Sequence, residues 1–420
     1  MRILLIAAAC VAAVFAANEE ILPPLEGMQS LSISVSTTEQ LMLLKNFVDV
    51  PGFDFLRTTE SEVDVLVTAD NVDDFKSLLD RNGMSYTVLV QNVREAVTEE
   101  YINQQIERRV QSLLPQELAA SGKLSFTYYP NNNEVDQYLS YIVKSHGDVA
   151  SLINIGASYE GRQMKVLRLS TGGNNKPAIF IDAGIHAREW IAPVTSLYIV
   201  DQLVANKNLL KNIDWYILPL LNPDGYAFTH SSSSNRLWRK TRSVNSGSSC
   251  RGVDGNRNYE MGWMVAGASS NPCSDTYAGP KAFSEQENRH MRDFINARKQ
   301  NIKAYITFHS YGQYILYPWG YTHQVPANEA ELKNLAAKCA TAIASYRRTK
   351  YTYGTAANHL YLAAGGSDDW ALGKAGIKLS YTYELPGGSS GFLLPPSEIK
   401  AVGTETFEAM KVIAQYVTAK

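Results

Sequence analysis

His186 and Glu189 stand three residues apart in Gly184-Ile185-His186-Ala187-Arg188-Glu189-Trp190, directly after the apolar run Ala178 to Ala183. A pair at i and i+3 can converge on one ion across a single turn. Far along the chain a second apolar run, Ala304 to Phe308, ends in His309-Ser310-Tyr311. Two imidazoles and one carboxylate form the ligand set of a catalytic zinc, with a fourth position left for water. The plainer alternative for each histidine is a loop residue that only hydrogen-bonds its neighbours. A third run, Lys378 to Tyr383, delivers Glu384 at its carboxyl end. That is the place for a general base that takes a proton from an attacking water; a solvated or ion-paired carboxylate is the alternative.

Beside these stands a basic cluster: Arg236, Arg239 and Arg242 in Asn235-Arg236-Leu237-Trp238-Arg239-Lys240-Thr241-Arg242, and Asn256-Arg257-Asn258 after Asp254-Gly255. Arginine forks suit bidentate capture of a carboxylate, and asparagine adds a neutral donor. A solvated basic loop is the alternative. Gly387-Gly388-Ser389-Ser390-Gly391 matches a serine-nucleophile elbow, but Pro395-Pro396 block the helix that should follow and no histidine lies beyond His359. We therefore set the elbow aside.

The elements that must position these residues are legible as alternating strands and helices. Strands are expected at Val166 to Leu169, Ala178 to Ala183, Trp215 to Leu221, Ala304 to Phe308 and Lys378 to Tyr383. Helices are expected near Ile191 to Ala205, Ser284 to Lys299, Ala327 to Tyr346 and Ser397 to Val417. That order predicts an α/β domain around a mixed, largely parallel twisted sheet flanked by helices, with the site at the carboxyl ends of the strands. The N-terminal part reads differently. Leu31 to Val35, Val63 to Val67 and Tyr86 to Val90 alternate as strands, with helices at Leu41 to Val48 and Asp70 to Asp80, which predicts a small α+β open sandwich. A polar helical stretch from Ala96 to Leu118, containing Arg108-Arg109, connects the two parts, and exposed basic residues in it are candidate processing sites.

Composition agrees with two folded units. Of 420 residues 45% are apolar and 19% charged, which excludes disordered and collagenous classes, and a net charge of −2 gives no reason to expect nucleic acid. The average hides an asymmetry. Residues 18–123 hold eight Lys/Arg against eighteen Asp/Glu, whereas 124–420 hold thirty against twenty-three, so the two parts attract. Residues 1–16 read as a cleaved secretory signal: one charge, Arg2, then an apolar run from Ile3 to Phe15 that is too short to span a bilayer. A secreted, extracellular protein without membrane attachment is expected. Cys10 leaves with the signal; Cys250 and Cys273, in Ser/Gly/Asn/Pro-rich segments, are expected to pair, a link that stabilises by about 3 kcal/mol, and Cys339 reads as a buried thiol on a helix.

The segments GIHAREW, NPDGY, NRLWRKTRS, GVDGNRNY, FHSYGQYILYP, YLAAGGSDDW and YTYELPG…GFLLP resemble, in order, those of the secreted pancreatic-type zinc metallocarboxypeptidases (the procarboxypeptidase A/B family). The preceding hundred or so residues resemble that family's activation segment. The resemblance implies one Zn2+ held by His186, Glu189 and His309, with Asp254 orienting His186. It implies Glu384 as general base and then proton donor, and Arg239 as stabiliser of the oxyanion. Asn256, Arg257 and Tyr361 would hold the substrate's terminal carboxylate, while Arg188, Tyr311 and Phe392 would line the outer subsites. The Cys250–Cys273 pair also fits the family's disulfide.

Asp368, in Gly365-Gly366-Ser367-Asp368-Asp369-Trp370, falls where B-type members carry an acid at the floor of the side-chain pocket, which implies release of C-terminal Lys or Arg. Gly320, in Pro318-Trp319-Gly320-Tyr321, instead matches A-type members, which release apolar or aromatic residues. The implied organisation is a signal peptide at 1–16, an activation propeptide at 17–123 (globular over about 25–95, connecting helix over about 96–120) and a catalytic domain at 124–420. Its partners would be peptides or proteins with a free C-terminal carboxylate, its own propeptide as inhibitor, and a trypsin-like activating protease cutting between Arg108 and Lys123. A monomer is expected, with no nucleic-acid or membrane partner. The alternative from another class is a secreted peptide-binding protein on an inactivated scaffold, which should lack a ligand or the base.

Overall fold

Leu31 and Ile33 alternate with serines, and that period of two builds β1 (Gln29–Ser34). The computed structural model, which describes residues 24–59, 61–113, 122–173, 175–388 and 391–419, sets β1 in a four-stranded antiparallel sheet with β2 (Phe53–Thr58), β3 (Glu62–Val67) and β4 (Tyr86–Val90), ordered β2-β3-β1-β4. Helices α1 (Thr38–Lys45) and α2 (Ala69–Arg81) cover one face, burying Leu44, Val72, Phe75 and Leu79 against the valines of β3. The other face buries Leu66 and Val90 under Val93 and Val97 of α3 (Val93–Ser112), and Leu237 and Leu393 from the larger unit pack there too. This is the expected open sandwich, but helix boundaries differ, and α1 begins at Thr38 rather than Leu41, because the Thr37 side chain caps it. Helix α1 stops at Lys45 rather than Val48, because Asn46, Asp49 and Pro51 favour turns over helix. Helix α3 starts three residues early, since the Asn92 side chain accepts from the Glu95 N–H and caps it. It ends at Ser112, and residues 114–121 of the expected connector lie outside the described residues, as does the signal segment 1–16.

The larger unit begins with α4 (Asn132–Ser145), started by a reciprocal capping box between Asn131 and Glu134. It then lays down β5 (Ala150–Ala157), β6 (Gln163–Leu169), β7 (Ala178–Ala183), α5 (Ile191–Ala205), β8 (Asp214–Leu218) and α6 (Pro223–Ser231). There follow α7 (Gln286–Asn296), β9 (Ile302–Ser310), β10 (Tyr314–Tyr317), α8 (Glu329–Arg347), β11 (Thr352–Thr355), the one-turn α9 (Ala356–His359), α10 (Ser367–Gly373), β12 (Leu379–Leu385) and α11 (Ile399–Thr418). The eight strands form one sheet in the order β11-β10-β12-β9-β7-β8-β6-β5. Its four central strands, β12, β9, β7 and β8, run parallel, and antiparallel strands flank them on both sides.

The sheet is thus mixed and parallel at its heart, as expected. Burial on both faces holds for the central strands but fails at β5, an edge strand that is half exposed. Helices α4, α5, α8 and α11 pack on one face, and α7 and α10 on the other. Strand β8 stops at Leu218 rather than Leu221, because Pro219 has no N–H with which to continue the ladder. Strand β12 runs past Tyr383, because Glu384 and Leu385 still pair with His309 and Ser310. Cys250 and Cys273 are bonded and Cys339 is buried. Among the described residues no helix is long and apolar enough to cross a membrane.

Candidate active site

The carboxyl ends of β7, β9 and β12 lie side by side, and each contributes to one cavity. Gly184 leaves β7 with a φ of +68°, a turn open to glycine without strain, and brings His186 and then Glu189 under the sheet edge just before α5 begins. His309 sits next to last in β9, and Glu384 faces it in register on β12. His186, Glu189 and His309 are buried and Glu384 is half-buried; Asp254, which precedes a short 3₁₀ turn carrying Asn256 and Arg257, is buried as well.

His186 Nδ1 lies 2.7 Å from Glu189 Oε1 and 3.2 Å from His309 Nδ1, and Glu189 Oε2 lies 3.2 Å from the same His309 nitrogen. One ligand atom from each residue falls within 4.8 Å of the others. On its far side His186 Nε2 lies 3.0 Å from Asp254 Oδ1, a contact that would keep a proton on Nε2 and leave Nδ1 to face a metal ion. Two imidazole lone pairs and a carboxylate aimed at one buried point are a donor set that a zinc ion satisfies. Burial opposes charge on Glu189, but His186 and His309 outweigh it and hold the carboxyl well below the usual range.

Glu384 has the opposite balance: burial pushes its carboxyl up to about 7, against the pull of His309 and Arg239. A carboxyl with a pKa near neutrality can both take and return a proton. Arg239 donates from Nη2 and Nε to Asp254 Oδ2 at 2.8 and 3.2 Å, which fixes its guanidinium beside the histidines. Asn256 accepts the Ser367 N–H through Oδ1 at 3.0 Å, and Arg257 is anchored by donating to the Gly267 carbonyl at 2.7 Å. Tyr361 stands partly exposed at the rim, its ring centroid 5.9 Å from the Arg257 guanidinium. Asp368, 6% exposed, begins α10 and lines the same cavity; it has no Lys or Arg ion-pair partner among the described residues. Arg188, Tyr311 and Phe392 cluster at the mouth, with Arg188 4.7 Å from the Phe392 ring centroid and the two aromatic rings 5.0 Å apart. Of the basic cluster, however, Arg242 does not reach the cavity: its guanidinium lies 3.7 Å from the Phe228 ring centroid and 4.5 Å from that of Trp238.

The cavity also has a cover that the motifs did not indicate. Leu56 and Arg57 of β2 line it. Asp54 pairs with Arg188 at 2.6 Å, Asp64 of β3 accepts from the Tyr311 hydroxyl at 2.8 Å, and Glu100 of α3 pairs with Arg236 at 2.5 Å. The excess of acid in residues 18–123 pointed to attraction between the two parts, but not to these particular pairs. Arg108, expected as an exposed processing residue, is instead drawn in. It bonds both Glu134 oxygens at 3.2 Å and the Tyr129 carbonyl at 2.8 Å, while Arg109 beside it is exposed.

Two histidines and a carboxylate gathered at one point, a half-buried carboxyl with a pKa near neutrality and guanidinium and amide donors beside them at the edge of a parallel sheet are the parts that a metal-dependent hydrolase would use. Residues 135–409 match the zinc carboxypeptidase family and residues 31–100 match the carboxypeptidase activation peptide, so the chain belongs to the zinc carboxypeptidases and is a zymogen with its activation peptide attached. It is similar to carboxypeptidase B of Astacus astacus, 48% identical over 70% of this chain and 98% of that one. To carboxypeptidase B of Rattus norvegicus it is 39% identical over 99% of both chains. The crystal structure of carboxypeptidase A from Helicoverpa armigera superposes with a TM-score of 0.86 at 33% identity, covering 95% of this chain and 99% of the other.

Proposed function

We propose that the protein is exported, is cut between its two folded units, and then removes C-terminal Lys or Arg from peptides. The observation that carries the preference is Asp368: a buried carboxylate on the cavity wall, without a cationic partner among the described residues, rewards a cationic side chain and penalises an apolar one. In this reading His186, Glu189 and His309 hold the zinc, which when bound polarises the scissile carbonyl and activates water. Asp254 fixes the orientation of His186. Glu384 takes a proton from the attacking water and returns it to the departing amine. Arg239 donates to the oxygen that gains negative charge. Asn256, Arg257 and Tyr361 hold the terminal carboxylate, so that the last peptide bond is the one presented. Arg188, Tyr311 and Phe392 contact the residues upstream.

Residues 1–16 serve as the export signal, 17–123 as the inhibitory segment and 124–420 as the enzyme. The activating cut falls at exposed Arg109 or Lys123 rather than at Arg108, which is tied to Glu134. One observation favours A-type cleavage instead, the glycine at 320. Its local geometry supplies another reason for it: a Cβ there would come 2.9 Å from the Ala363 carbonyl, and the Gly320 N–H bonds Asp369 at 2.9 Å. The test is to treat the purified protein with trypsin and follow amino-acid release from matched peptides ending in Arg and in Phe, with and without a zinc chelator. Chelator-sensitive release that favours Arg is expected. Preferential Phe release would transfer the protein to the A-type, and release of neither would favour the inactive scaffold.

A further inference from the structure

His186 has a carboxylate behind it, Asp254, but His309 has none at hydrogen-bond distance on its own far side. The Nδ1 edge of His309 faces His186 and Glu189. Its other ring nitrogen, Nε2, is buried and finds no hydrogen-bond partner among the described residues. A buried imidazole N–H left unpaired is costly, so its surroundings should supply an acceptor. Tyr305, Thr307 and His309 alternate along β9 and project from one face of the sheet, and Asp182 of β7 pairs in register with Thr307. Thr307 Oγ1 donates to Asp182 Oδ1 at 2.8 Å, and both side chains are buried. Asp182 Oδ2, by contrast, finds no hydrogen-bond partner among the described residues. The same holds for the Tyr305 hydroxyl and for Oγ of Ser367, the first residue of α10, which packs on this face. Burial pushes the Asp182 carboxyl up to about 6, while Tyr305, Thr307 and His309 nearby pull the other way. One donor nitrogen, one carboxylate oxygen and two hydroxyls therefore gather, unpaired, on the buried face beneath the ligands.

We propose that a buried water joins His309 Nε2 to Asp182 Oδ2, which makes Asp182 a positioning residue for the second imidazole. Asp182 stands level with Thr307, two residues and about 6.7 Å of strand short of His309, a gap that the imidazole and one water span. A water there can reach Tyr305 and Ser367 as well, which gives it the three or so polar partners that buried waters ordinarily have. The carboxylate then does through water what Asp254 does directly for His186: it keeps the proton on Nε2, fixes the ring plane and makes Nδ1 a better donor to a metal. Thr307 holds the carboxylate in place by occupying its other oxygen.

The inference rests on the zinc reading, and its test separates the two. The intact chain is stripped of metal with a chelator, and Zn2+ is titrated back against a chromophoric competitor. Asp182→Asn, which keeps the shape and removes the charge, is expected to weaken zinc binding about tenfold. Thr307→Val, which leaves the carboxylate but unties it, should weaken binding by a smaller factor, and it carries the test if the asparagine variant does not fold. Melting temperatures without and with Zn2+ separate positioning from a plain structural role: the variants should lose more of the zinc-loaded value than of the zinc-free one. Unchanged affinity in both variants, or equal losses of melting temperature with and without zinc, would overturn the positioning role. A zinc-loaded crystal structure with His309 Nε2 bonded directly to a protein oxygen would overturn it as well. Failure of the wild type to take up Zn2+ would overturn the zinc reading instead.

Discussion

Asp368 shows how much one carboxylate is asked to do. Burial raises its pKa, and the hydrogen bonds it accepts only partly offset this, so a cationic side chain entering the cavity would supply the missing counter-charge. Replacing it by asparagine keeps the shape and removes the charge. Asp368→Asn is therefore expected to lower kcat/KM about a hundredfold on peptides ending in Arg while leaving those ending in Phe unchanged or improved, read as the ratio of the two. The ligands and the base were legible because His186, Glu189, His309 and Glu384 each follow an apolar run that could only be a strand. The roles of Leu56, Arg57 and Glu100 were not, since the catalytic-unit residues they meet lie more than a hundred residues away and no local spacing encodes such a meeting. The glycine at 320 has a cause of the same kind, the Ala363 carbonyl that a Cβ there would meet, a neighbour in space alone.

Among the elements, α7 carries a buried acid with a measurable cost. Burial pushes Glu287 up to about 7, and the nearby carboxylates Glu285 and Asp224 push the same way, although its Oε1 accepts the Tyr159 N–H at 2.8 Å. The folded state thus holds this proton more tightly than the unfolded chain, whose glutamate titrates near about 4.3, so the stabilisation present below that pH is lost as pH rises through about 7. Glu287→Gln keeps the acceptor and cannot ionise. Melting curves should show the variant losing less stability than wild type across that window; parallel pH profiles would place the proton elsewhere. Strand β7 and helix α5 could be read to the residue because largely apolar runs end at Gly184 and at the polar Asn206. Strands β10 and β11, four residues each, are too short for a period to declare itself, and in β2 every residue is only half buried. Helix α4 did have a signal, the Asn131–Glu134 capping box, which is local and readable from sequence.

At the level of the whole molecule, an acidic unit sits on a basic one and the contacts follow that charge, with Asp54 on Arg188 and Glu100 on Arg236. Arg108 on Glu134 runs the other way, so attraction is not the whole account; Leu237 and Leu393 add an apolar seam. After a single cut the two pieces should remain together at low salt and separate as ionic strength rises, because ion pairs that become exposed are screened within about 8 Å at physiological salt. Gel filtration of trypsin-nicked protein at several salt concentrations measures this, and co-elution that is indifferent to salt would assign the hold to the apolar seam. The pairing of Glu384 with His309 across β12 and β9 has a consequence of another kind. The distance from base to metal ligand is metered by the backbone ladder, whose two strands stand about 4.8 Å apart, and not by side-chain rotamers alone. A slip of one residue between those strands would turn Glu384 to the opposite face of the sheet. The ladder therefore works as a ruler with a single mark, and a chain that has closed its sheet in any other register holds no weakened site, only the absence of one.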